Sequence, residues 1–126
     1  MPNFAPMSEH YDLGKAGETL AANYLKKEGY EILGRNLFFK KAELDIVARK
    51  GNDLVFVEVK TRTKGSLMSP EQAVDWKKQK MIIAGAADYV EQSDYDLDAR
   101  FDIITVVVNG SDSQIEHIEG AFYPSI

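Results

Sequence analysis

The stretch that most restricts this chain is ELDIVARKGNDLVFVEVKTR, residues 43–62. Two runs rich in β-branched residues flank the turn dipeptide Gly51-Asn52, which is a hairpin signature. Strand side chains alternate between faces. Leu44, Ile46 and Ala48 are expected on one face of the first run, with Glu43, Asp45 and Val47 on the other. In the second run Val55, Val57 and Val59 share a face, and Leu54, Phe56, Glu58 and Lys60 share the opposite one. A two-residue loop at Gly51-Asn52 pairs Lys50 with Asp53, and so sets Asp45 opposite Glu58 and Glu43 opposite Lys60. Side chains so placed have Cβ atoms about 4.5–5.5 Å apart, where like charges repel. A divalent cation would relieve that repulsion, since magnesium takes carboxylate oxygens at about 2.0–2.1 Å. A turn at Asn52-Asp53 instead sets Asp45 against Lys60, and a three-residue loop scatters the site. The plain alternative is a solvated sheet face with a Glu43–Lys60 ion pair. Leu54, Phe56 and Val47 on the same face speak for a purposeful cluster.

The rest of the chain supplies partners for this hairpin. Leu13, Gly17, Leu20, Ala21, Tyr24 and Leu25 recur at helical spacing and predict a helix over 11–28, stopped by Gly29. YEILGRN, residues 30–36, reads as a first strand, followed by strands at about 43–49 and 54–61. KGSLMS is a polar loop. Ser69 as cap and Pro70 as first residue predict a helix running to about residue 92. RFDIITVVV is a β-branched run, hence a buried strand, and SQIEHIE a short edge strand. Within RFDIITVVV, Asp102 is expected to serve structure, paired with Arg100 or a backbone amide. His10 and His117 receive no catalytic role. The fold class is α/β, a mixed sheet flanked by helices in the order α-β-β-β-α-β with an extra edge strand in prospect. A chain of 126 residues is expected to be one domain, with its core over about 11–108.

Composition narrows the function classes. No apolar run approaches the roughly 18 residues of a membrane-spanning helix, so no membrane partner is expected. The N-terminus lacks a basic-then-apolar leader. The absence of cysteine excludes disulfides, zinc–thiolate sites and iron–sulfur clusters, and fits a reducing cytoplasm. The net charge of −5 argues against nucleic acid, but the charge is unevenly spread. Residues 1–80 hold 14 basic and 11 acidic residues, whereas 81–126 hold one and nine. The basic share gathers around the hairpin, as a phosphate-facing surface requires. A solvated surface with an acidic end explains the asymmetry equally well.

Asp45 followed by Glu58-Val59-Lys60 resembles the nuclease superfamily of restriction enzymes and Holliday-junction resolvases, whose core order matches the one above. A closer resemblance is to the YraN-like bacterial family, through GKAGETLAANYL, GRN, ELDIVA, VFVEVKTR, KKQK and RFDII, over about residues 14–108. Ala42 stands where that family commonly has Gly, and Phe38 where it often has Arg. The resemblance implies a restriction-endonuclease-like fold. It also implies that Asp45 and Glu58, with the carbonyl of Val59, hold magnesium or manganese. Lys60 would orient the attacking water or stabilise developing charge, and Glu18 on the first helix would complete the acidic cluster. Lys78, Gln79 and Arg62 would contact nucleic-acid phosphates. Each has a plainer reading: Glu18 as a surface acid and WKKQK as a solvated basic turn.

The preferred function is metal-dependent hydrolysis of phosphodiester bonds in DNA, in branched or repair structures. The rival is a non-catalytic nucleic-acid-binding or assembly module on the same fold. Action on RNA is a third reading, and the edge strand and acidic end leave self-association as a homodimer open.

Overall fold

The computed structural model describes residues 6–39, 42–65 and 74–124. Its elements are α1 (Pro6–Lys27), β1 (Glu31–Phe39), β2 (Ala42–Lys50), β3 (Asp53–Thr63), α2 (Trp76–Gln92), β4 (Asp98–Asn109) and β5 (Asp112–Phe122). The strands form one mixed sheet in sequence order, β1 to β5. Neighbours are antiparallel except β3 and β4, which run parallel. A parallel pair needs a long crossover, and α2 supplies it.

The two helices cover opposite faces. Ala21, Ala22 and Leu25 of α1 pack on Ile46, Val57 and Ile104. Ile82 and Ala86 of α2 pack on Val47, Phe56, Phe101 and Phe122. The centre of β3 is buried on both sides, which explains its nearly unbroken apolar run. α1 is held close because Gly17 faces Thr61, whose hydroxyl would collide with any Cβ at position 17.

The β2–β3 hairpin has the register that a Gly51-Asn52 loop dictates, with Lys50 opposite Asp53 and Ile46 opposite Val57. Gly51 has φ 61°, as the first central residue of a type II′ turn requires. Three expectations need correction. The second helix begins at Trp76, not near residue 70: Val74 and Asp75 are not helical, and Asp75 caps α2 by accepting from Lys78 N at 2.9 Å. Ser69 and Pro70 lie outside the described residues. The strict alternation of β2 also fails. Leu44 packs with Val47 on the α2 side, whereas Ile46 faces α1. α1 also begins earlier than residue 11, at Pro6.

Candidate functional site

The irregularity at Leu44–Ile46 builds the site. The β2–β3 ladder ends at Ile46–Val57. One step further, Val59 N donates 2.9 Å to the Asp45 carboxylate, Oδ2, rather than to a β2 carbonyl. Strand pairing is replaced by a side chain, and the two strands part there. Asp45 and Glu58 are both buried at this point, 8% and 4% exposed.

On the α1 side, oxygens of Glu18, Glu43 and Asp45 lie within 4.8 Å of one another. Glu18 is delivered by the close approach at Gly17. The GRN segment also reaches it. Asn36, at φ 52°, occupies the left-handed region that Asn tolerates. It lies between the paired Arg35–Ile46 and Leu37–Leu44, and its side chain hydrogen-bonds Glu18. Arg35 Nη2 donates to Thr19 Oγ1 at 3.3 Å and adds positive charge beside Glu18.

On the α2 side stand two lysines. Lys78 Nζ is 3.0 Å from Glu58 Oε1, and Lys60 Nζ is 3.9 Å from the same oxygen. Lys78 is fastened at both ends, since its backbone N–H binds Asp75. An open groove of about 420 Å³ runs from Glu43 and Asp45 past Lys77 and Lys78 to Met81.

The electrostatics follow from crowding. Burial, then the charge of Glu58 and a carboxyl–carboxyl hydrogen bond to it, push Asp45 from 3.8 up to about 7, against the pull of Val59 N–H. Glu18 is raised by burial and by Asp45. Lys60 is lowered by burial and by Lys78. Lys78 is raised: burial opposes this, but Glu58 beside it outweighs the burial.

Glu18, Asp45, Glu58, Lys60 and Lys78 therefore converge on one end of the sheet. Two placements differ from expectation. Gln79 turns away, its Nε2 donating 2.9 Å to Val74 O where the chain enters α2. Arg62 reaches Glu116 on β5 at 3.5 Å, on the side of β3 away from β2. Val59 contributes its N–H to Asp45, a bond that depends on the strands parting. Glu43 joins Glu18 and Asp45 rather than pairing with Lys60. Sequence reasoning missed that grouping and also Asn36. The positive φ of an Asn inside a strand could have been anticipated from GRN. Thr105, level with Lys60 on β4, is buried with no partner for its hydroxyl among the described residues.

A second polar network lies under α1, apart from this site. Asp102 is fully buried and accepts from Arg100 at 2.8 and 2.9 Å and from Gly120 N at 3.0 Å. His117 Nε2 stands 2.7 Å from Asp102 and its Nδ1 2.9 Å from the Tyr24 hydroxyl. Burial alone would raise Asp102, but the hydrogen bonds from His117, Arg100 and Gly120 outweigh it and hold the carboxyl below its ordinary value. The network ties α1 to β4 and β5, the structural role expected of Asp102.

Fold and site together define a mixed α/β protein with an acid–lysine cluster where two strands part. The chain belongs to the Uncharacterised protein family UPF0102, whose model matches residues 17–106. A UPF0102 protein of Flavobacterium psychrophilum is 48% identical, over 93% of this chain and 98% of that one. UPF0102 proteins of Bacteroides thetaiotaomicron and Phocaeicola vulgatus are 48% and 49% identical, each over 95% of this chain and 99% of their own.

Proposed function

We propose that this protein is a metal-dependent nuclease that hydrolyses phosphodiester bonds in DNA. The observation that carries the reading is the meeting of Glu18, Glu43 and Asp45 within 4.8 Å, beside Glu58 and its two lysines. A buried carboxylate raised to about 7 is a group short of positive charge, so this donor set fits a hard divalent cation such as magnesium or manganese. Asp45, Glu18 and Glu43 would hold it, with Glu58 adjoining. Such an ion, when bound, neutralises phosphate charge and makes a bound water acidic. Lys78 and Lys60 line the α2 side, where ammonium groups bind phosphate oxygens and stabilise charge developing on phosphorus. Release of Lys78 from Glu58 would leave that carboxylate free to ligate or to accept a proton. Burial and Lys78 lower Lys60 from its ordinary value, which loosens its proton.

The test is cleavage of linear, nicked, flapped and four-way DNA with and without magnesium or manganese. Metal-dependent cleavage of any of them supports the reading, and inertness across the panel rejects it. A non-catalytic nucleic-acid-binding module is the second reading. The Lys78–Glu58 pair favours it, because Glu58 is already neutralised without a metal.

A further inference from the structure

A second groove opens on the far flank of α2. With about 100° per residue, Trp76, Lys80, Ile83 and Ala87 form one stripe of the helix, whereas Lys78 and Ile82 face the cluster. The stripe and the C-terminal Tyr123 line a groove of about 240 Å³. Trp76 is 62% exposed and Tyr123 72%. Lys80 Nζ lies 4.2 Å from the centre of the Trp76 ring. A lone exposed aromatic needs no explanation. Two that line one groove make a stacking platform, with the Lys80 ammonium seated over one face of the Trp76 ring.

We propose that this groove takes an unpaired base of single-stranded DNA, so that the substrate carries a single-stranded arm beside the bond to be cut. The proposal rests on the nuclease reading and narrows its substrate. Bases stack on aromatic rings irrespective of sequence, with cations tracking the backbone. Lys80 beside the platform and Lys77 toward the cluster provide those cations. The groove is smaller than the roughly 300–1,000 Å³ of sites for drug-sized ligands, which suits one planar base. Trp76 and Lys78 share one helical turn, so a strand crossing that turn meets both the platform and the cluster.

Trp76 is the only tryptophan in the chain, so its fluorescence reports this groove alone. The full chain is titrated in metal-free buffer with a short oligothymidylate, with a blunt duplex of equal length and with oligouridylate. The expected result is quenching by the single strand and little by the duplex. In anisotropy with labelled oligonucleotides, Trp76→Ala should weaken single-strand binding roughly ten-fold or more, and Trp76→Phe should retain most of it. Circular dichroism checks folding, and Tyr123→Ala replaces Trp76→Ala if the latter does not fold. Absence of quenching, or equal losses for single strand and duplex, overturns the proposal. Tighter binding of oligouridylate overturns the assignment to DNA. Quenching in a protein that cleaves nothing rejects the nuclease reading alone. Cleavage of blunt duplex without quenching rejects the stacking site alone.

Discussion

Lys78, from a helix, stands closer to Glu58 than does Lys60, which is two residues along the same strand: 3.0 Å against 3.9 Å. Alternate residues of a strand project side by side, whereas Lys78 comes from the α2 side and meets the carboxylate tip. A buried carboxylate that loses its partner is destabilising. Lys78 is partly exposed and Lys60 remains, so the loss in Lys78→Ala should be moderate, about 1–2 kcal/mol in metal-free buffer. Magnesium should then raise the melting temperature of the variant more than that of wild type. An equal magnesium shift in both proteins would show that Lys78 does not compete with a cation.

Asp45 gives the metal-free protein a pH signature. Its folded value, about 7, lies above its ordinary 3.8. Between those values the folded chain binds more protons than the unfolded one, so stability falls as pH rises through the window. Asp45→Asn should remove that slope and raise stability at pH 8 by on the order of 2–4 kcal/mol, while leaving pH 4 little changed. Denaturant melts at both pH values check this. The same change should weaken magnesium binding and lower any cleavage by orders of magnitude.

Asp102 has the opposite sign. Its folded value is depressed, so its contribution is full above the ordinary carboxyl range and is lost as pH falls through the folded value. Asp102→Ala should cost about 2–4 kcal/mol at neutral pH, since it strands the partly buried Arg100 and His117 and the Gly120 N–H. Asp102→Asn should flatten the acid limb of the stability curve. Thermal melts across pH 2–7 with an unchanged acid limb would place the acid sensitivity elsewhere.

Gly17 sets how closely α1 approaches the sheet. Gly17→Ala should destabilise by about 1–3 kcal/mol through overpacking on Thr61, despite the better helix propensity of Ala. Thr61→Ala should restore much of the loss, and the double-mutant cycle measures the coupling. Magnesium affinity should drop with Gly17→Ala as well, because Glu18 moves with the helix. Independent, additive effects at the two positions would dissociate them.

Much of this was legible in the residues, and the failures have physical causes. Gly51-Asn52 determines the register because a two-residue loop leaves one pairing, Lys50 with Asp53; Asp45 and Glu58 lie one pair beyond the end of that ladder, and meet through the parted strands rather than across a rung. The start of α2 was not legible, since Ser69-Pro70 and Asp75 are both sound capping signals and only tertiary packing chooses between them. Val74, fully buried, is drawn into the core ahead of the helix. The parity of Leu44 was misjudged because alternation holds only while the ladder continues. The bond of Gln79 to the Val74 carbonyl was not legible either, because a contact across the helix start is invisible in a linear string. Phe38, where Arg would have been expected, is 74% exposed and paired across from Glu43.

The parting of β2 and β3 beyond Ile46 has an evolutionary consequence. A fork in a sheet interior is a place where side chains do the work of missing rungs, and where acids can be sheltered yet reachable. One more rung would bring Val59 N–H back to a backbone carbonyl and free Asp45 from holding it. Selection for stability alone would favour such closure, and selection for the cluster would resist it. Relatives that have lost the acidic cluster should therefore be recognisable by an apolar residue at position 45 and a zipped, regular hairpin.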